Sequence, residues 1–521
     1  MRFSSMMLLM TLLTQGNGSD LLDYVQSQAY WKIQGVEVSV ASMRAQLKGL
    51  QAGDAAKLID EFSGDDAARR QAAAAKIRAL GARAMPALER AAKAAQGKPD
   101  KAAAIQDLIG SVLKKPKVGA VRRLMAIRTL GELKNREALD SLRGLLKSKA
   151  QFEADYARAA IAAIEGKRHE RAGIAPKVLA KDPWMLPADC GIVGQLTVPQ
   201  GSGFDFDKAV KAMGPMMGGQ DPQQALEGVT RLLLEAAERV GNARIHSVTV
   251  GVAGDIGRRR GFVVVLARGV YDAEAVKQLA AEEGSGETEK IDGVEVLWPD
   301  DEVALILPSN EMLVLVGGPG PERRRPAKAE GADPAEEPGS ARPIAPAVAA
   351  MAAAVKKGIG SLTPDSDVGK LIKAADTTAP LWAVTKVSDA YRKGGPIIQP
   401  FDTATLVGKR TKDGQTLDLA LVARGLDADG AAAAVKKFEE GLQEAKEEVS
   451  REAERMPFMK PIAGFLASIR IKQDGKAVTV TGQLKGSAAM MLLPMTVAGR
   501  AAAPPPPEVR EGRARDRNDG S

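Results

Sequence analysis

The chain is 521 residues long, 45 % hydrophobic and 26 % charged, the composition of a water-facing globular protein of about three domains. Its single Cys and two His exclude a disulfide scaffold, a thiolate-rich zinc or iron–sulfur site and a three-His metal centre. A net charge of +8 with only 4 % aromatic residues offers little clustered charge or base-stacking surface, so no specific nucleic-acid partner is expected.

Residues 1–18 read as a secretory signal peptide. Arg2 precedes the apolar run 6–13 (MMLLMTLL), and small and polar residues follow at 14–19 (TQGNGS), with cleavage expected after Gly16 or Gly18. The expected location is secreted or periplasmic, at the cell envelope. The alternative is a cytoplasmic protein whose apolar N-terminal helix docks on the next domain. No apolar run approaches the roughly 20 residues of a membrane span.

Residues 20–175 read as a helical domain. The stretch 54–62 (DAAKLIDEF) places Ala55, Leu58, Ile59 and Phe62 on one stripe. Ser63-Gly64-Asp65 breaks it, and Asp65-Asp66 opens a second helix, 67–80, with acidic residues at its positive end. Gly81 stops that helix, and a third, 84–95, carries Pro86 in its first turn, where a missing N–H costs nothing. The pattern returns at 122–133 (RRLMAIRTLGEL), 137–146 and 156–164. A period of about 40 to 50 residues built from helix pairs indicates an α-solenoid. Asp65-Asp66, Arg69, Ala72 to Ala75, Leu80-Gly81 and Ala84 with Pro86-Ala87-Leu88 together resemble a HEAT-type repeat, most closely over 54–95 and more loosely over 118–166. That resemblance implies antiparallel helix pairs stacked into a curved surface that binds another protein, and it implies no chemistry. Upstream, Trp31 is expected to anchor the first helix pair.

After Asp182-Pro183 the pattern changes to strands, and residues 183–317 read as a first α+β unit. Strands are expected at 191–198, 247–253, 261–267, 293–298, 302–307 and 311–316, with helices at 225–240 and 273–281. Residues 347–500 read as a second unit, with strands at 381–387, 404–409, 416–423, 467–472 and 477–484, a long helix at 428–455 and a short apolar helix at 487–493. Leu266-Ala267-Arg268-Gly269 corresponds to Val422-Ala423-Arg424-Gly425, each ending an apolar strand before an Asp-opened helix. The expected fold class is therefore α+β multidomain: a short all-α HEAT-like solenoid, then a duplicated α+β region of two antiparallel sheets with helices. The two units resemble no family specifically. Segment 318–346 reads as a disordered Pro, Ala and charge-rich linker, and 501–521 as a disordered Pro-rich tail.

No candidate for catalysis, cofactor binding or metal binding stands out. The glycines at 251–261 and 317–320 lack phosphate-cradle spacing and read as turns. Cys190 has no His nearby in the pattern and reads as a small buried hydrophobe. His169 and His246 read as surface or edge residues. Asp300-Asp301-Glu302 and Asp365-Ser366-Asp367 read as acidic turns rather than cation sites. Arg258-Arg259-Arg260 and Arg323-Arg324-Arg325 read as a hairpin tip and a solvated linker, and the Met-rich clusters at Met213, Met216 and Met217 and at Met490-Met491 as core filling. The expected function is a non-enzymatic protein-interaction or scaffold role, exercised through the solenoid and needing no cofactor. The alternative is a small-molecule or lipid carrier, or a carboxylate-dependent enzyme, with a cleft between the two α+β halves.

Overall fold

Helical periodicity and then strand alternation divide the molecule in chain order. The structure, a computed structural model, describes residues 20–25, 27–48, 54–64, 66–80, 84–115, 117–148, 150–167, 169, 176–197, 234–255, 260–283, 286–318, 342–392, 397–411, 416–455 and 459–485. The leader at 1–18, the tail at 501–521, nearly all of the linker, both Met-rich clusters, Arg258, Arg259, Arg323, Arg324, Arg325 and the helix expected at 487–493 lie outside the described residues.

Nine helices of more than one turn are described before the sheet: α1 (Ser27–Ile33), α2 (Val40–Lys48), α3 (Asp54–Phe62), α4 (Ala67–Leu80), α5 (Met85–Ala94), α6 (Pro99–Lys114), α7 (Val118–Glu132), α8 (Leu139–Leu145) and α9 (Gln151–Ile164). Asp66 caps α4, its Oδ1 accepting from the N–H groups of Ala68 and Arg69 at 2.9 and 3.1 Å. Pro86 and Pro99 stand in the first turns of α5 and α6. α6 is a helix that the sequence pattern did not single out. The helices divide between two cores. Ile77, Leu88, Ile105 and Val112 belong to a cluster confined to α3–α6 and the residues joining them. Trp31, Met125, Ile127 and Tyr156 instead share a cluster with residues of the sheet.

The strands are β1 (Cys190–Thr197), β2 (Arg244–Asp255), β3 (Arg260–Val270), β4 (Glu287–Ile291), β5 (Val294–Asp300), β6 (Val303–Ser309), β7 (Met312–Gly317), β8 (Leu381–Lys386), β9 (Phe401–Arg410), β10 (Thr416–Gly425), β11 (Arg470–Asp474) and β12 (Ala477–Lys485). Between them run α10 (Ala273–Glu283), α11 (Ala345–Lys357), α12 (Asp367–Ala374), α13 (Ala428–Arg455) and α14 (Lys460–Ser468), with a shorter helix at 234–240. α11 and α12 were not expected from sequence, and residues 467–472, expected as a strand, are divided between the end of α14 and the start of β11.

Two antiparallel sheets were expected, with edge-to-edge pairing as a way to hide their exposed strand edges. The strands form one sheet of twelve, in the order β11-β12-β10-β9-β8-β1-β2-β3-β7-β6-β5-β4, with antiparallel pairing between the neighbours. The two halves meet where β1 pairs with β8, Gly194 opposite Ala383. Each half runs three neighbouring strands outward, crosses through helix, and returns its last strand beside the third: β7 beside β3, β12 beside β10. Merging removes two open strand edges, and the outer edges that remain are short and charged, Glu287–Ile291 (ETEKI) and Arg470–Asp474 (RIKQD).

Around β3, β5, β6 and β7 the sheet is covered on both faces. Val265, Ala267, Leu305 and Leu315 point to the face shared with α1, α7, α9 and α10. Val264, Leu266, Ile306 and Val314 point to the other, under α11 and α12. Each fully buried Val or Leu contributes about 1.5–3 kcal/mol. The sequence of three layers is thus helix, sheet, helix over β3 and β5–β7.

Candidate functional site

At the junction of the halves the two faces of the sheet part company. Along β1, Val193 and Gln195 are buried, while their neighbours Ile192, Gly194 and Leu196 are only half-buried. Along β8, Trp382 and Val384 are sealed, while Leu381 and Ala383 on the opposite face are half-buried. Pairing extends that second face across five strands. One row runs Val250, Gly194, Ala383, Leu406, Leu421; the next runs Val248, Leu196, Leu381, Gly408, Leu419. Beyond them Arg410 lies opposite Leu417. The strip is aliphatic, with Thr385 and Arg410 as polar side chains, and Leu421 is 36 % exposed. Burial pulls the pKa of the Arg410 guanidinium below its ordinary value.

The strip has a boundary on either side. At β3 the face is closed by the core that holds Val265 and Ala267. At β12 it is closed near Gly482, where a β-carbon would lie 3.3 Å from the Phe465 ring of α14. Among the described residues, Val248 is the member of the two rows that packs against one of the buried clusters.

The other face at the junction carries a satisfied polar bracket. Gln195 Nε2 donates to Thr249 Oγ1 and to the Leu179 carbonyl, both at 3.0 Å, and Trp382 Nε1 donates to Gln195 Oε1. Beside it Arg268 holds Asp182 through bonds of 2.6–3.2 Å. Burial pushes the Asp182 carboxyl up, against the pull of Arg268. Every partner here is already taken by another, which makes this a fastening of the short helices at 176–185 to the sheet rather than a reaction centre.

A second buried network joins the N-terminus to β2. Arg244 donates to Asp20 at 2.5 Å and to Asp155 at 3.2 Å, and Asn242 Nδ2 donates to Asp20 at 3.0 Å. His246 stands next to it, at a register shift between Ile245 and Ser247. Expected at the surface or an edge, His246 is in fact 4 % exposed and its Nδ1 has no hydrogen-bond partner. Burial, then Arg244, lowers its pKa to about 4, with Asp155 opposing. Sequence alone could not show this, because the groups that face His246 include Asp155, far upstream in the chain.

Cys190 is buried in the face under α11, and burial followed by the Asp189 charge pushes its thiol up to about 12. Such a thiol stays protonated and is a poor nucleophile. Asp300 Oδ1 accepts from the Glu302 N–H and Asp301 pairs with Arg342, while Ser366 caps α12 through the Gly369 N–H. Among the described residues no cluster of three or more His, Cys, Asp or Glu could hold a metal ion, and no helix is long and apolar enough to cross a membrane. His169 is half-buried. Trp31, expected as an anchor, is fully buried and donates Nε1 to Thr129 Oγ1 at 2.8 Å.

No protein-family model matches the chain, and no curated protein is similar to it. Among solved structures it is similar to crystal forms III and IV of TP0453. The TM-scores are 0.30 and 0.29 at 9 % and 8 % identity, covering 60 % of this chain and 96 % and 95 % of the others. A superposition that loose carries no argument about fold or function.

Proposed function

We propose that the protein is a non-enzymatic interaction protein, exported through the leader at 1–18, which docks a partner protein through a short HEAT-like solenoid. The observation that carries this reading is the separate core of α3–α6. A module with its own core does not depend on the sheet for its packing, so its outer helix faces are available to a partner. Leu113 of α6, 55 % exposed, stands on such a face. The α+β body, read as a duplication, supplies bulk or a second surface. That reading is supported by the shared strand order and by matching turns: Asp272 Oδ1 accepts from the Ala275 N–H, and Asp427 Oδ1 from the Gly430 N–H.

The test is removal of residues 54–114 with partner capture from the envelope fraction as readout. The deletion must stop short of Val118, because α7 and α9 share a core with the sheet. Capture should be lost, and weakened several-fold by Leu113→Glu alone. Capture that survives the deletion would sink the reading.

One observation favours a second reading, a carrier with its cleft between the α+β halves: the half-buried aliphatic strip across the β1–β8 junction. A carboxylate-dependent enzyme would need convergent acidic groups there, and the strip's residues are aliphatic apart from Thr385 and Arg410.

A further inference from the structure

The sheet at the junction is sealed on one face, around the Gln195 bracket, and half-buried and aliphatic on the other. Val193, Trp382 and Val384 are buried, while Leu196 and Leu381, on the same strands but the opposite face, are half-buried, as is Leu406 on β9. Contiguous apolar surface of this kind is uncommon on a monomer without a binding role. The nature of the occupant follows from three features. First, β1, β8, β9 and β10 are each paired on both sides, so no backbone group is left to take a peptide strand. Recognition must come from side-chain contact alone. Second, the strip spans five strands from β2 to β10, roughly 19 Å at the usual strand spacing. Third, a cation stands at its margin: Arg410 of β9, opposite Leu417.

We propose that this strip binds the alkyl chain of a single-chain anionic amphiphile of the long-chain fatty-acid class, with the carboxylate at Arg410 and the hydrocarbon running over Leu381 and Ala383 toward Val250. The guanidinium adds a charge-assisted hydrogen bond to the head group, and the aliphatic rows cover the chain. This deepens the carrier reading and is independent of the helical module, so loss of partner capture by the 54–114 deletion has no bearing on it.

The test is titration of the full-length, delipidated chain with palmitate, hexadecanol and octanoate by calorimetry, with native mass spectrometry for stoichiometry. Saturable one-to-one palmitate binding is expected, at least tenfold tighter than octanoate. Ala383→Trp, which fills the strip, should weaken palmitate tenfold or more. Arg410→Gln should weaken palmitate several-fold and leave hexadecanol unchanged. Val407→Trp, on the opposite face of β9, serves as the folding control and should bind as the parent does. Equal loss in Val407→Trp and Ala383→Trp would overturn the proposal, as would an absence of saturable uptake because the chain's own residues 486–500 hold the strip. A concentration-dependent dimer that palmitate does not dissociate would overturn it in favour of a second copy of the chain.

Discussion

Arg244 is held almost wholly out of water between Asp20 and Asp155, and a buried charge is tolerable only while its partners remain. Replacing Arg244 by Met strands the Asp20 carboxylate and should cost about 3–5 kcal/mol of stability in urea unfolding. The double variant Arg244→Met, Asp20→Asn should recover part of that loss. A cost below about 1 kcal/mol for the single variant would contradict this account of the network. His246, beside the same network, has a pH signature. Its pKa falls from the ordinary 6.5 of an imidazole to about 4 on folding, so between these values the unfolded chain binds the extra proton. Stability should be unaffected by this group above pH 6.5 and should decline as pH falls toward 4, by about 3 kcal/mol in all. His246→Gln should flatten that part of the profile, and a parent profile of equal slope would refute the assignment.

At the scale of elements, the separate core of α3–α6 predicts separate melting. The chain's four Trp, at positions 31, 184, 298 and 382, all lie outside that module. Leu88→Ala, which empties a fully buried position, should remove about 2–5 kcal/mol from the module. Helical circular dichroism should then fall at a lower temperature than tryptophan fluorescence changes. Coincident transitions would mean that the module and the sheet unfold as one unit. The junction strands make a different demand. A β-carbon on Gly194 would lie 3.0 Å from that of Ala383 and 3.1 Å from the Trp382 carbonyl oxygen, so Gly194→Val should cost about 1–3 kcal/mol by crowding the β1–β8 contact. That loss would appear as lower urea resistance read by fluorescence.

Over the whole molecule, the sheet is continuous but not evenly buried. β3 and β7 lie under helices on both faces, whereas most residues of β9 and β10 are half-buried. Native-state hydrogen exchange should therefore show the strongest protection in β3 and β7 and graded loss toward β11. Uniform protection across all twelve strands would contradict this. Periodicity in the sequence determined α3, α4, α13 and most of the strands to within a few residues, because apolar spacing of three to four or of two is set by local backbone geometry. It also determined that the strand pattern occurs twice, through junctions such as Arg268-Gly269 and Arg424-Gly425. Only the tertiary structure decided that β1 and β8 join the halves into one sheet, that His246 is buried beside the distant Asp155, and that one face of the junction is sealed while the other is not. The physical reason is that alternation along a strand says which residues share a face, but not what packs against it. That depends on contacts between segments separated by a hundred residues or more.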